Sequence, residues 1–260
     1  VPFLAERALD VLEGTEAVAP GMQRVIEARV LLTKGQALLK LEREDEGRAV
    51  FVDLRDKHPD TDAASYSYLV EAYHYAGSNR LDEAQRSLLK LADGAPADKY
   101  AARALYEAAL NAELRGLEEN LKEAVGLLER LTKKYPTDEL VFYSRLKQAN
   151  LFRRLGDFGA ALDMCEELLG SEIFSAHPDR GSVALVRADC LFALSRGDRQ
   201  RLFAAVSAYA ELKTLATQSI DLRAEAAYKE GLACRQMGNV GRAKLIYWRD
   251  VARGLLLEGS

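Results

Sequence analysis

The chain is poor in the residues that build sheets, disulfide scaffolds or metal sites. Strand-like alternation of apolar and polar residues is nearly absent, so a β architecture is not expected. No run of 18 apolar residues occurs in the 260, which excludes a membrane-spanning helix of ordinary length. Three cysteines, Cys165, Cys190 and Cys234, are far apart and form no CxxC, so no disulfide framework or zinc knuckle is predicted. Their count mildly favours a reducing compartment. The three histidines, His58, His74 and His177, include no pair four residues apart with a carboxylate, and they are expected to be solvated. G-x-S-x-G, the P-loop and G-x-G-x-x-G are all missing, and no catalytic constellation is expected. No cofactor or metal is called for. There are only 6 prolines and 18 glycines, most of them between periodic segments. No secretory signal is visible. Val1 stands where an initiator methionine would, which predicts that a segment precedes it.

What remains is helical periodicity. Phe142 to Ser175 is its clearest instance. Leu146, Ala149, Phe152 and Leu155 form one stripe on a first helix. Gly156 follows, where a left-handed residue can end that helix, and Asp157 can cap the next. Phe158, Ala161, Leu162, Cys165, Leu168 and Leu169 line the second. Such a pair cannot bury both faces alone, so neighbours must stack on each side.

The remaining segments vary this theme, in units of approximately 22–59, 62–96, 99–136, 142–175, 181–216 and 222–257. The small residue of each second helix falls at Gly47, Ala84, Ala124, Ala161, Ala205 and Ala243. The steps are 37, 40, 37, 44 and 38, and the excess is expected in lengthened turns such as Arg115 to Asn120 and the one around Gly197. Val1 to Glu13 reads as a leading helix, and Gly14 to Gly21 as a loop. Apolar Val251 and Leu255 to Leu257 beside Trp248 predict that another repeat, domain or partner follows.

Ala149, Phe152, Gly156, Phe158, Ala161, Cys165 and Leu168 sit on one 34-residue frame that resembles the tetratricopeptide repeat. Arg145 and Ile173 depart from it, at the fourth place (usually aromatic) and the thirty-second (often proline). The closing segments HPDTD, APADK and YPTDE resemble those of bacterial cell-envelope repeat proteins, which leaves the envelope (periplasm) and the cytoplasm both open. The resemblance implies an all-α fold, a right-handed α-solenoid of about six helix pairs plus a leading helix, as a single domain over 1–260. It further implies a non-catalytic scaffold that binds another protein or peptide in a concave groove lined by first helices.

On the family frame the inward residues are Tyr66, Leu69, Val70 and Tyr73 in the second unit. In the fourth they are Tyr143, Lys147, Asn150, Arg153 and Arg154, and in the sixth Tyr228, Lys229 and Arg235. Their character runs from aromatic to basic, and Tyr and Arg are frequent anchors of interfaces. The tyrosines could equally serve as packing between neighbouring pairs. Residues 1–130 carry a net charge of −7 and 131–260 one of +3, so an acidic partner is expected for the C-terminal half. The carboxylate clamp of some members is not carried over, because Leu146 stands where it needs a lysine, although Asn150 is in place. A sequence pI of about 5.6 argues against nucleic acid. Self-association through the chain ends, or service as the regulatory part of a larger enzyme, are the alternatives.

Overall fold

The computed structural model describes residues 20–214 and 219–252. The expected leading helix and the apolar residues Leu255 to Leu257 lie outside them. The chain divides into two compact units, residues 1–138 and 139–260. In the first, six helices follow in order: α1 Pro20–Lys40, α2 Glu44–Lys57, α3 Asp62–Gly77, α4 Leu81–Gly94, α5 Ala101–Arg115 and α6 Glu118–Lys134. In the second are α7 Leu140–Arg154, α8 Phe158–Gly170, α9 Arg180–Ser195, α10 Arg199–Thr214, α11 Ile220–Gln236 and α12 Val240–Ile246. A π-helical turn, Tyr247–Ala252, continues α12. Among the described residues there is no strand. Helix α1 starts at Pro20, inside the expected loop, because proline suits the first helical position.

Each odd-numbered helix turns back onto the next even-numbered one through two or three residues. Every such turn contains a residue in the left-handed region. In α7–α8 it is Gly156 (φ 80°), and the Asp157 side chain then accepts from the Ala160 N–H at 3.0 Å. Glu42 and Asn79 take the same place without being glycine, at φ 61° and 58°. The long turns expected at Arg115–Asn120 and around Gly197 are corrected here. Helix α6 begins at Glu118 and α10 at Arg199, so both turns are short. The extra sequence lies between pairs, where connections cost little entropy and run over the surface. The largest is 171–179, between α8 and α9.

The two helices of a pair cross at the small residues. In the first pair Gly35 meets the Phe51 ring, and in the sixth Gly231 meets the Tyr247 ring. A Cβ at either glycine would lie 2.3 Å from a ring carbon. Where the facing residue is Leu88 or Cys165, the crossing residue is alanine, Ala72 or Ala149, and all four are buried. Close crossing without a void gives the dense packing that dispersion and hydrophobic burial require.

Successive pairs are locked by polar contacts between residues 34 to 40 apart in sequence. Tyr73 donates to Glu107, Arg80 to Glu44, Tyr143 to Asp179, Lys213 to Asp250 and Lys229 to Asp189. These separations match one pair plus its connection, so equivalent surfaces of neighbours meet. Two carboxylates go deeper. Glu71, one place before Ala72, bonds Arg55 at 3.0 Å and the Ser87 hydroxyl at 3.0 Å. Glu230, one place before Gly231, is 1% exposed and lies 2.6 Å from Lys213 and 2.9 Å from Arg242. Arg55 and Lys213 occupy corresponding places, each eight residues beyond the small residue of the preceding second helix.

The glycines separate two effects. Gly35→Ala or Gly231→Ala must push a ring aside and should lower stability by about 1–3 kcal/mol. A Cβ at Gly126, mid-helix in α6, would meet nothing within 4 Å. Gly126→Ala should therefore raise stability by about 0.5–1 kcal/mol. Chemical denaturation of the three variants checks both signs.

Candidate functional site

The face formed by first helices carries most of the residues singled out from sequence. In the first unit, α3 presents Tyr66 and Tyr73. The Tyr66 ring packs on Tyr100, with centroids 5.5 Å apart, and the Tyr73 hydroxyl donates to Glu107 at 3.2 Å. Arg103 approaches the same Glu107 at 3.8 Å. Both tyrosines thus make contacts between pairs while keeping part of their rings accessible; Tyr73 is 38% exposed. Val70 is half-buried against the core. Leu69 is corrected. It is fully buried, because its place on α3 points between the packed helices, and it lines no surface.

In the second unit, α7 begins with an aromatic corner. His177 stacks on Phe142, with centroids 3.5 Å apart and planes at 15°. Tyr143 meets the His177 ring edge-on and donates to Asp179 at 3.0 Å. The expectation of solvated histidines is therefore overturned. His58 is buried, and His74 lies 3.3 Å from Glu44, because each sits where one pair stacks on the next.

Farther along α7, Asn150 donates to the Leu146 carbonyl and accepts from Arg153 at 3.4 Å. Lys147 is half-buried and Arg154 exposed. The decisive residue is Asp189 on α9, which sequence reasoning missed. Its Oδ1 accepts from the Tyr209 hydroxyl at 2.7 Å, and its Oδ2 from Lys229 at 2.8 Å, with Arg153 at 3.7 Å. One carboxylate joins α7, α9, α10 and α11. Burial, then the Asp189 charge, pushes the Tyr209 phenol far above its ordinary pKa, so it stays a donor. Asp189 follows the crossing residue Ala188, a place the family frame directs inward. That was the available signal.

Around this carboxylate lies a cavity of about 270 Å³. Its polar rim is Arg153, Asp189 and Lys229, and its apolar wall is Phe158, Phe192, Ala193 and Leu232. All but Phe158 stand at inward places of first helices. The two cations are not free charges, since Asp189 partly neutralises them from between. Tyr228 is 50% exposed and lies 5.8 Å from Tyr247, and Arg235 is exposed.

The cysteines are core residues. All three are buried. Burial pushes the Cys165 thiol up to about 12 and Cys190 to about 11. Among the described residues, no group of three or more His, Cys, Asp or Glu is placed to hold a metal, and no helix is long and apolar enough to cross a membrane.

With paired helices crossing at small residues and stacking through their first helices, each unit has the tetratricopeptide-type repeat fold. Solved structures agree. TPR-like repeats of a kinesin light chain from Podospora anserina share 16% identity, with 73% of this chain and 94% of theirs covered and a TM-score of 0.55. MamA matches at 15% identity over 73% of this chain and 91% of its own, with a TM-score of 0.53. The apo form of the quorum sensor NprR from B. thuringiensis matches at 14% over 97% and 75%, with a TM-score of 0.57. At these identities the likeness establishes the fold. No family model matches the sequence, and no curated protein does.

Asp189 should behave as a joint rather than a surface charge. Asp189→Ala leaves the buried Tyr209 hydroxyl without its acceptor and Lys229 with Glu225 alone, and should cost about 1–3 kcal/mol. In a double-mutant cycle with Tyr209→Phe, measured by urea denaturation, the two losses should be strongly non-additive. Additive losses would show that the 2.7 Å contact carries no coupling.

Proposed function

We propose that this protein is a non-catalytic scaffold that binds a segment of another protein on the face of its first helices. The cavity between α7, α9 and α11 is the anchor point. The observation that carries this reading is the cavity's composition. Apolar Phe192, Ala193 and Leu232 and polar Arg153, Asp189 and Lys229 converge there from three successive repeats. Mixed pockets of this kind hold one anchoring side chain in place while a polar rim fixes its orientation. The partner segment is apolar with acidic neighbours. Lys229 is held by both Asp189 and Glu225, and Arg153 by Asp189, so the rim itself is close to neutral; the exposed Arg154 and Arg235 on the same helices supply the positive charge. The MamA and kinesin-light-chain repeats support the fold of such a scaffold and do not bear on its partner.

Lys229→Glu is a poor test, because it would bring a second carboxylate against Asp189 and disturb folding. Ala193→Phe fills the cavity without touching the ion pairs. The full chain and its Ala193→Phe variant should be used as paired baits in a lysate of the source organism. A partner held by the first and lost from the second, with both melting alike, is the expected result. Equal capture by both baits would remove the cavity as the anchor.

Exposed Val240, Leu245 and Trp248 on the sixth pair favour a second reading, self-association through the C-terminal end. Sedimentation equilibrium should then show a concentration-dependent dimer that Leu245→Lys abolishes and Ala193→Phe leaves intact. A monomer throughout the accessible concentration range would exclude it.

A further inference from the structure

A second cavity, about 510 Å³, opens on the other side of the second unit, where α8 and α10 flank α9. Its lining includes Leu169, Gly170, Arg180, Ala184, Arg187 and Ala208. The repeat supplies a template for what it lacks. Ala184 stands four residues before the crossing residue Ala188. In the second pair the corresponding residue, four before Ala72, is Tyr68. Tyr68 fills its place, with the Arg55 guanidinium 3.6 Å from the ring centroid. Arg55 corresponds to Leu169, and Ser87, which bonds the Tyr68 carbonyl, corresponds to Ala208. In the fifth pair, then, the tyrosine is replaced by a methyl group, and its neighbours are Leu169 and Ala208.

The space left open keeps a mixed polar rim, Arg180 and Arg187 with Glu166 and Glu211. Arg180 donates through Nη2 to the Leu169 carbonyl, while its buried Nη1 has no hydrogen-bond partner. Arg187 lies 3.5 Å from Glu166. We infer that this cavity is a docking site for a tyrosine side chain projected by a partner protein, standing where Tyr68 stands in the second pair. The ring takes the apolar space over Ala184, Leu169 and Ala208. The phenol oxygen lies at the polar rim, where Arg180 and Arg187 can donate to it and Glu166 and Glu211 can accept from it. Aromatic rings beside guanidinium groups gain cation–π attraction as well as burial. A volume of this order is typical of sites that enclose a small side chain or ligand, roughly 300–1,000 Å³. This site is separate from the first-helix face, and either can fail without the other.

The test is a nuclear magnetic resonance titration of the 15N-labelled full chain with N-acetyl-L-tyrosine amide, with N-acetyl-L-alanine amide as control. Saturable shifts at the Gly170, Ala184 and Ala208 amides, at least tenfold tighter for the tyrosine probe, are expected. Ala184→Tyr rebuilds the second pair's arrangement from within. It should keep or raise the melting temperature and weaken the probe at least tenfold. Ala208→Leu closes the same space from α10 if that variant does not fold. Absence of saturable shifts, or shifts confined to other amides, overturns the proposal, as does undiminished probe binding by a folded, filled variant. A concentration-dependent dimer lost in Ala184→Tyr would assign the cavity to a second copy and overturn it too.

Discussion

Everything in this fold depends on how closely the two helices of a pair can approach. At two crossings a glycine gives room to an aromatic ring of the second helix, Gly35 to Phe51 and Gly231 to Tyr247. A leucine or cysteine tolerates alanine there. The crossing then sets which side of the first helix looks outward, because a helix pinned along one stripe has little rotational freedom left. In the second unit the residues one place on, Asn150 and Asp189, are directed to its first-helix face, and in the first unit Tyr73 holds the same place. The direction of these residues follows from packing geometry, and their hydrogen bonds and ion pairs then hold the side chains.

Stacking adds a second constraint, and it is electrostatic. The residue just before the crossing faces the preceding second helix, so a carboxylate there must be answered. Glu71 is answered by Arg55 and Ser87, and Glu230 by Lys213 and Arg242. Buried ions of this kind add little net stability compared with apolar packing, but leaving one unpaired is costly. Their effect is to specify which neighbour stacks and in what register. Pairs that lack the carboxylate use other fillings. In the fourth pair that place is the buried Gln148. The repeat is therefore one frame with locally different contents, and beside the outer cavity the place of Tyr68 is taken by Ala184.

The helix pairs were legible because their signals are local. Gly156 and Asp157 mark a turn and a cap, and Ala149 with Ala161 mark a crossing, all within 34 residues. Lengths were less so. A step of 44 residues can be spent in a turn or in a connection, and only the observed helix ends show that it went to 171–179. Groove residues were half legible. Periodicity gives a direction to within one place, and one place separates accessible Tyr73 from buried Leu69's stripe. Partners across pairs were not legible at all. Nothing local to Lys229 reveals that Asp189, 40 residues earlier, lies 2.8 Å away.

That last gap changes the electrostatic reading of the site. Net charge counted along the C-terminal half gives +3, which by itself suggests a surface suited to a run of acidic residues. The arrangement around Asp189 argues for something narrower. Its carboxylate holds Lys229 and Arg153 toward itself, while Glu225 takes Lys229 at 2.7 Å and Asn150 takes Arg153 at 3.4 Å, so both cations beside Phe192 and Leu232 are already answered. A polyacid would have to compete with Asp189 for both cations and would leave the apolar wall uncovered. A segment with an apolar anchor covers that wall and leaves the pairs intact. On the proposed reading, selectivity would rest on the apolar anchor, read beside cations that Asp189 and Glu225 already hold in place.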